Sequence, residues 1–161
     1  MDLEKIKKAT SKIIGHRVST VKKDDNLYHF LIFVNPTKLW ESGKKLNDIY
    51  KTLQQMSTSL SVDYWDISIK IEKTPEFMDS VDEVKQSISN HINEIDPEFD
   101  FEIKLHSTYI ENNKIGLYFD VISSQSLFRR FKDKRDFMKR LNNDINPHPE
   151  KFTLELDFTI K

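Results

Sequence analysis

Asp100, Glu102, Asp120, Glu155 and Asp157, with His106, are the residues of this 161-residue chain whose types and spacing could do chemistry. They alternate along segments that read as strands, so their side chains share one sheet face. An oxygen-rich cluster of that kind suits magnesium or calcium. A metal-assisted phosphoesterase would be centred on Asp100, Glu102, His106 and Asp120. The competing reading is a solvated strand face, because Lys104 and threonines are interleaved with the acids. A second candidate is the basic run Arg129, Arg130, Lys132, Arg135, Lys139 and Arg140, with Phe128, Phe131 and Phe137 between the charges. Aromatic and basic residues so mixed can grip nucleic acid by stacking and phosphate contact. Arg129, Lys132, Lys139 and Arg140 would supply that grip from a helix over 127–141. Helical spacing, however, puts Leu127, Phe131, Met138, Leu141 and Ile145 on one core stripe, and Asp133 and Asp136 dilute the outward charge, which favours a solvated helix face.

Other chemical motifs are missing from the sequence. There is no phosphate-cradling glycine loop, no His-Glu-x-x-His, no calcium-loop spacing and no Gly-x-Ser-x-Gly elbow. His16, His29, His91, His106 and His148 share no metal-ligand spacing. His106-Ser107-Thr108 is similar to the His-x-Thr of two-lobed phosphoesterases of the 2H kind, which need one histidine as base and another as acid. The matching trio in the first half is Val18-Ser19-Thr20, so the second histidine is absent. The sequence therefore points away from catalysis and implies no cofactor.

Composition sets the outer limits. With 37% hydrophobic residues, 11 Phe, 5 Tyr and 2 Trp, the chain can fill a real core. No apolar run reaches the length of a membrane span, and Met1-Asp2-Leu3-Glu4-Lys5 lacks the apolar stretch of a signal peptide. The absence of cysteine fits a reducing interior, and the cytoplasm is the expected location. The net charge of −1 divides into +2 over residues 1–79 and −3 over 80–161, a balance that disfavours a nucleic-acid partner.

Periodicity predicts a helix from Leu3, Ile6, Thr10 and Ile13, stopped by Gly15, then a hairpin with strands 17–21 and 27–34. Asn35-Pro36 should cap a long helix whose buried stripe is Leu39, Gly43, Leu46, Ile49, Tyr50, Leu53 and Met56. Strand 64–72 follows. A connector at 73–79 separates a first lobe, 1–72, from a second, 80–161. The spacing of Ser80 and Glu83 predicts a capping box, then a stripe of Val81, Val84, Ile88, Ile92 and Ile95. Strands 99–110 and 115–122, a helix 126–145 and a strand 152–160 complete the plan.

The two lobes read as a tandem α-β-β-α-β repeat, with residues 16–57 sliding onto 104–145 by 88 positions. The expected class is α+β, a two-layer sandwich with helices on one face of a mainly antiparallel sheet. Its element order resembles that of ferredoxin-like and KH domains, a fold analogy that carries no function. No Gly-x-x-Gly clamp of the KH kind is present. Strands 64–72 and 152–160 could also frame one β-α-β-β-α-β domain. The offset of 88 sets Val18 against His106 and Ile32 against Asp120, so Val18, Phe30, Ile32 and Val34 form an apolar patch where the second lobe is polar. Such a patch predicts cover by the other lobe, a second copy of the chain or a partner protein. The functional expectation is a non-catalytic protein acting through protein–protein interaction, as adaptor, inhibitor, immunity-type or chaperone-like module.

Overall fold

Gly15 ends helix α1 (Leu3–Ile14) with a φ of +76°, a left-handed conformation that costs glycine nothing. The computed structural model describes residues 3–25, 27–42, 50–51, 54–55 and 64–161, with backbone alone for Thr20, Ser42, Tyr64 and Trp65. The fold is α+β, and the chain divides into units Met1–Thr74 and Pro75–Lys161. No helix of the described residues is long and apolar enough to cross a membrane.

In the first unit, α1 buries Ile6, Thr10 and Ile14, while Ile13, expected in the stripe, is 51% exposed. Ser11 Oγ donates to the His16 carbonyl at 2.8 Å, joining the end of the helix to β1 (Arg17–Asp24). That strand pairs antiparallel with β2 (Leu27–Val34), which pairs parallel with β3 (Tyr64–Ile71). Asn35 caps α2 (Pro36–Ser42) as its sequence predicts, its Oδ1 accepting from the Lys38 amide at 3.2 Å. Leu39 is fully buried. Of the rest of the expected stripe, Tyr50 is helical and 38% exposed, and Gly43, Leu46, Ile49, Leu53 and Met56 lie outside the described residues.

The second unit opens with α3 (Pro75–Ile95). The helix begins at Pro75, where a missing N–H costs nothing, so the capping box is unused and Ser80 is buried inside the helix. The expected connector shrinks to Lys73 and Thr74. Phe77, Val81, Val84, Ile88 and Ile92 form its buried stripe, and Ile95, assigned to the same stripe, is 47% exposed. β4 (Glu102–Glu111), β5 (Lys114–Ser123) and β6 (Phe152–Ile160) form a sheet in that order, antiparallel then parallel. Between β5 and β6 run α4 (Phe131–Arg140) and a π-turn, Leu141–Ile145. β3 belongs to the first sheet, so no β-α-β-β-α-β domain forms across residues 64–160.

Register settles which side chains are inside. Asp24 pairs with Leu27 and Glu111 with Lys114, so both hairpins turn in two residues. The first residue of each turn is left-handed, Asp25 at φ 52° and Asn112 at φ 57°. Asp and Asn tolerate that conformation better than other side chains. The two hairpins therefore match at an offset of 87, from Asp25 to Asn112, and not 88. The same offset carries Val21 opposite Phe30 onto Thr108 opposite Leu117, and Tyr28 opposite Trp65 onto Ile115 opposite Phe152. It also carries the irregularity between Val18 and Thr20 onto that between Leu105 and Ser107.

Because side chains alternate, a slip of one residue exchanges the two faces of a strand. Phe30, Ile32 and Val34 correspond to Leu117, Phe119 and Val121, not to Tyr118, Asp120 and Ile122. All six are buried, as is Val18. The expected apolar patch of Val18, Phe30, Ile32 and Val34 is thus the interior of the first unit, with Val18, Phe30, Ile32 and Val34 at 1%, 6%, 0% and 0% exposure.

β6 is an edge strand, and its first half is closed by side chains. Lys151 O accepts from Ile115 N and Lys161 N donates to Ser123 O, so odd-numbered residues of this strand face β5. Even-numbered residues turn their backbone groups outward. Asn142 meets both of Leu154's, donating to its carbonyl at 3.0 Å and accepting from its amide at 2.7 Å. Asn146 donates to the Phe152 carbonyl at 3.0 Å. The π-turn thus stands in for a neighbouring strand.

Two outcomes follow. Ile32→Asp places a carboxylate in the first core and should destabilise that unit by about 4 kcal/mol or more, leaving it unfolded in urea titrations of the intact chain. Asn142→Ala leaves both Leu154 backbone groups unpaired and should lower stability by about 1–3 kcal/mol, with the denaturant slope unchanged.

Candidate functional site

The acidic face expected to do chemistry is present and already satisfied. Asp120 and Asp157 stand side by side in register, an arrangement that repels unless each finds a donor. Thr159 Oγ1 donates to Asp120 at 2.6 Å, and the Tyr118 hydroxyl donates to Asp157. The Tyr109 hydroxyl donates to Glu155 at 3.1 Å, while Lys104 lies 3.6 Å from Glu102. Burial, followed by the bond to Glu155, raises the Tyr109 phenol above its ordinary pKa. The Tyr109 ring covers Gly116 directly across the hairpin, in space that a Cβ at 116 would occupy. His106 packs against Tyr118 with ring centroids 5.2 Å apart.

Asp100, Glu102, His106 and Asp120 do not converge. Asp100 precedes β4, and among the described residues no three His, Asp or Glu side chains are grouped to hold a metal ion. The face is a ladder of cross-strand hydrogen bonds whose acids are engaged by neighbouring hydroxyls and a lysine.

The basic candidates are also rearranged. The helix expected from residue 126 begins at Phe131, with Arg130 as an extended N-cap at φ −120° and ψ 140°. Ser123 Oγ accepts from the Gln125 amide at 3.1 Å and Ser126 Oγ donates to the Phe128 carbonyl at 2.9 Å, holding residues 124–130 as a loop. The run Ser123-Ser124-Gln125-Ser126 is the sequence signal that announces it. Arg129 is therefore a loop residue. Lys132 and Lys139 are exposed on the helix, and Arg140 is held by Asp144 at 2.8 Å. That bond is also the main cause of the lowered Asp144 pKa. The π-turn adds a residue to the helical repeat, so Phe137, Leu141 and Ile145 make the core stripe, while Phe131 is 79% exposed.

The late helix start assembles a surface that periodicity does not reveal. Phe128, Phe137 and Phe158 form a cluster with centroid separations of 5.2–6.0 Å. Beside it, at the ends of β5 and β6, is a cavity of about 170 Å³ lined by Phe99, Phe128, Phe131, Phe158, Ile160 and the loop. Arg129, Arg130 and Lys134 also line it, and no carboxylate does. Arg130 is committed to Asp133 through two bonds, at 3.0 and 3.1 Å. These bonds also raise the Arg130 pKa. Lys134 lies 5.9 Å from the Phe158 ring centre, leaving its charge at the rim. A wider groove of about 780 Å³ shares Leu127, Phe128, Arg129 and Arg130 with the cavity and extends to Ile95 and Arg140. Six large apolar side chains are exposed among the described residues, and three of them, Ile95, Phe131 and Ile160, gather on these two hollows.

Compared with known protein families, characterised proteins and solved structures, the chain matches none.

A cation held by the native chain at a hundred times its Kd would add about 2.7 kcal/mol. Roughly 10 °C or more in melting temperature would follow for a unit of this size. Millimolar magnesium, manganese or calcium should instead leave the melting temperature of the second unit unchanged.

Proposed function

We propose that the chain is a non-catalytic binding protein that acts through protein–protein interaction, in the manner of an adaptor, inhibitor, immunity-type or chaperone-like module. Its contact surface is the aromatic and cationic end of the second unit. The observation that carries this reading is the exposure of Phe131 at 79% and Ile160 at 61% on a hollow that three cations and no acid line. Exposed aromatic and arginine side chains around a hollow are the usual anchors of protein interfaces. A solitary exposed apolar residue needs no explanation, whereas several around one concavity do. A cysteine-free chain fits a reducing compartment, which makes the cytoplasm the proposed place of action.

Nucleic acid is the weaker partner for this surface. Arg130 and Arg140 are engaged by Asp133 and Asp144, and the wider groove is lined by Asp96, Asp133 and Asp136 as well as by arginines. Acids in the groove would repel phosphates.

The test is a photo-crosslinking side chain placed at position 131 and, as a control, at position 13, whose native Ile13 is also exposed. In extract of the source cells, position 131 should yield a discrete protein adduct and position 13 none. Equal labelling at the two positions, or none at 131, would reject the reading.

A further inference from the structure

We infer that the partner docks as an extended, acidic peptide segment that adds a fourth strand to the outer edge of β6, an inference that rests on the interaction surface proposed above. β6 lies at the edge of its sheet, and its even-numbered residues turn N–H and C=O away from β5. The π-turn closes this edge only at Phe152 and Leu154, through Asn146 and Asn142. From Leu156 to Ile160 no group of the described residues pairs with the outward backbone, which makes three successive donor and acceptor sites on one straight edge. The opposite edge of the sheet is guarded differently, since β4 carries an irregularity between Leu105 and Ser107. A bulge is one of the usual devices that keep an edge from pairing. The last half of β6 has no bulge, and its even-numbered residues Leu156, Phe158 and Ile160 are apolar.

The cavity supplies what a bare edge lacks. Main-chain bonds give affinity in strand addition, whereas pockets for alternate side chains give specificity. Phe158 and Ile160 line the cavity at the open end of the edge, and Arg129 and Lys134 line it without any acid. An incoming strand would present every second side chain toward these cations, which selects carboxylates at alternate positions. The acids of β6 itself, Glu155 and Asp157, lie on the opposite sheet face, where Tyr109 and Tyr118 hold them. Antiparallel pairing of two β6 edges keeps like faces together, so it could not bring those acids to the cations. The surface therefore fits a different chain better than a second copy.

Proline separates backbone from side-chain recognition. Ile160→Pro removes one outward N–H that has no partner among the described residues, a position where edge strands accept proline. Ile160→Val keeps that N–H and most of the side chain. Both variants should retain the wild-type circular dichroism and urea midpoint. The crosslinker at 131 is then compared in the three backgrounds. Ile160→Pro should reduce the adduct roughly tenfold, a loss of about one hydrogen bond of docking free energy, and Ile160→Val, which trims one methylene and keeps the N–H, should reduce it far less. Replacing Arg129 and Lys134 together by Glu should abolish it. Mass spectrometry of the adduct should locate the crosslink in an extended acidic segment of another protein. An adduct that survives Ile160→Pro, one that grows when the cations are reversed, or one that joins two copies of this chain would overturn strand addition by an acidic partner while leaving the interaction surface standing. Should Ile160→Pro lower the urea midpoint, N-methylation of the residue 160 amide in a semisynthetic chain replaces it, with the same expected loss. Absence of any wild-type adduct would remove the underlying reading instead.

Discussion

The two-residue turns at Asp25 and Asn112 are the constraint on which the rest of each unit depends. A turn of two residues with a left-handed first position fixes which residues face each other across the hairpin. Pairing then propagates without choice, because side chains alternate and a one-residue slip would move the whole apolar set to the other face. In the first unit it places Val18, Val21, Phe30, Ile32 and Val34 inside, and in the second Ile115, Leu117, Phe119 and Val121. Their burial stabilises each sheet by about 1.5–3 kcal/mol per large side chain, far more than any exposed ion pair here contributes. The open faces are free to differ for that reason. One carries Arg17 over Phe33, at 4.4 Å from its ring centre, and the other a ladder of acids and hydroxyls.

The second constraint is the parallel pairing of β5 with β6. A parallel neighbour needs a crossover, and here the crossover must also close the edge that it creates. The π-turn does this by delivering Asn142 and Asn146 to Leu154 and Phe152, and it repacks the helix so that Phe137, Leu141 and Ile145 line up beneath the sheet. His148 extends the same closure. Its carbonyl accepts from the Lys151 and Phe152 amides, and its ring meets Glu83 of α3. One short segment thus caps a strand, sets a helix phase and anchors the neighbouring helix.

Much of this was legible in the residues. Gly15, Asn35-Pro36 and the alternation of β2 and β5 each have a single cheap structural solution, and the elements appear where those signals put them. The register offset was not legible, because Asp24-Asp25-Asn26 and Asn112-Asn113-Lys114 offer several polar residues in a row and only backbone pairing tells which of them turn. That single residue converted a buried sheet face into an imagined surface. Phe131 failed for a related reason. Its spacing from Leu127 and Met138 suits a continuous helix, yet the serines at 123 and 126 satisfy backbone groups locally and delay the helix. Side chains that compete with the backbone for hydrogen bonds are the recurrent blind spot of periodicity.

The delayed helix also indicates where the units part company. In the first unit one residue, Asn35, separates β2 from α2, whereas seven residues, 124–130, separate β5 from α4. The offset of 87 is nonetheless recovered at the third strand of each unit, since Tyr28 pairs with Trp65 as Ile115 pairs with Phe152. The second unit therefore spends on a loop the residues that its counterpart has available for a helix, without lengthening the crossover. Giving up helical hydrogen bonds and leaving Phe131 in water both cost stability, and nothing in the packing of the sheet requires either. A loop retained at such cost, at the open end of the β6 edge, is accounted for if the missing contacts are supplied by another molecule.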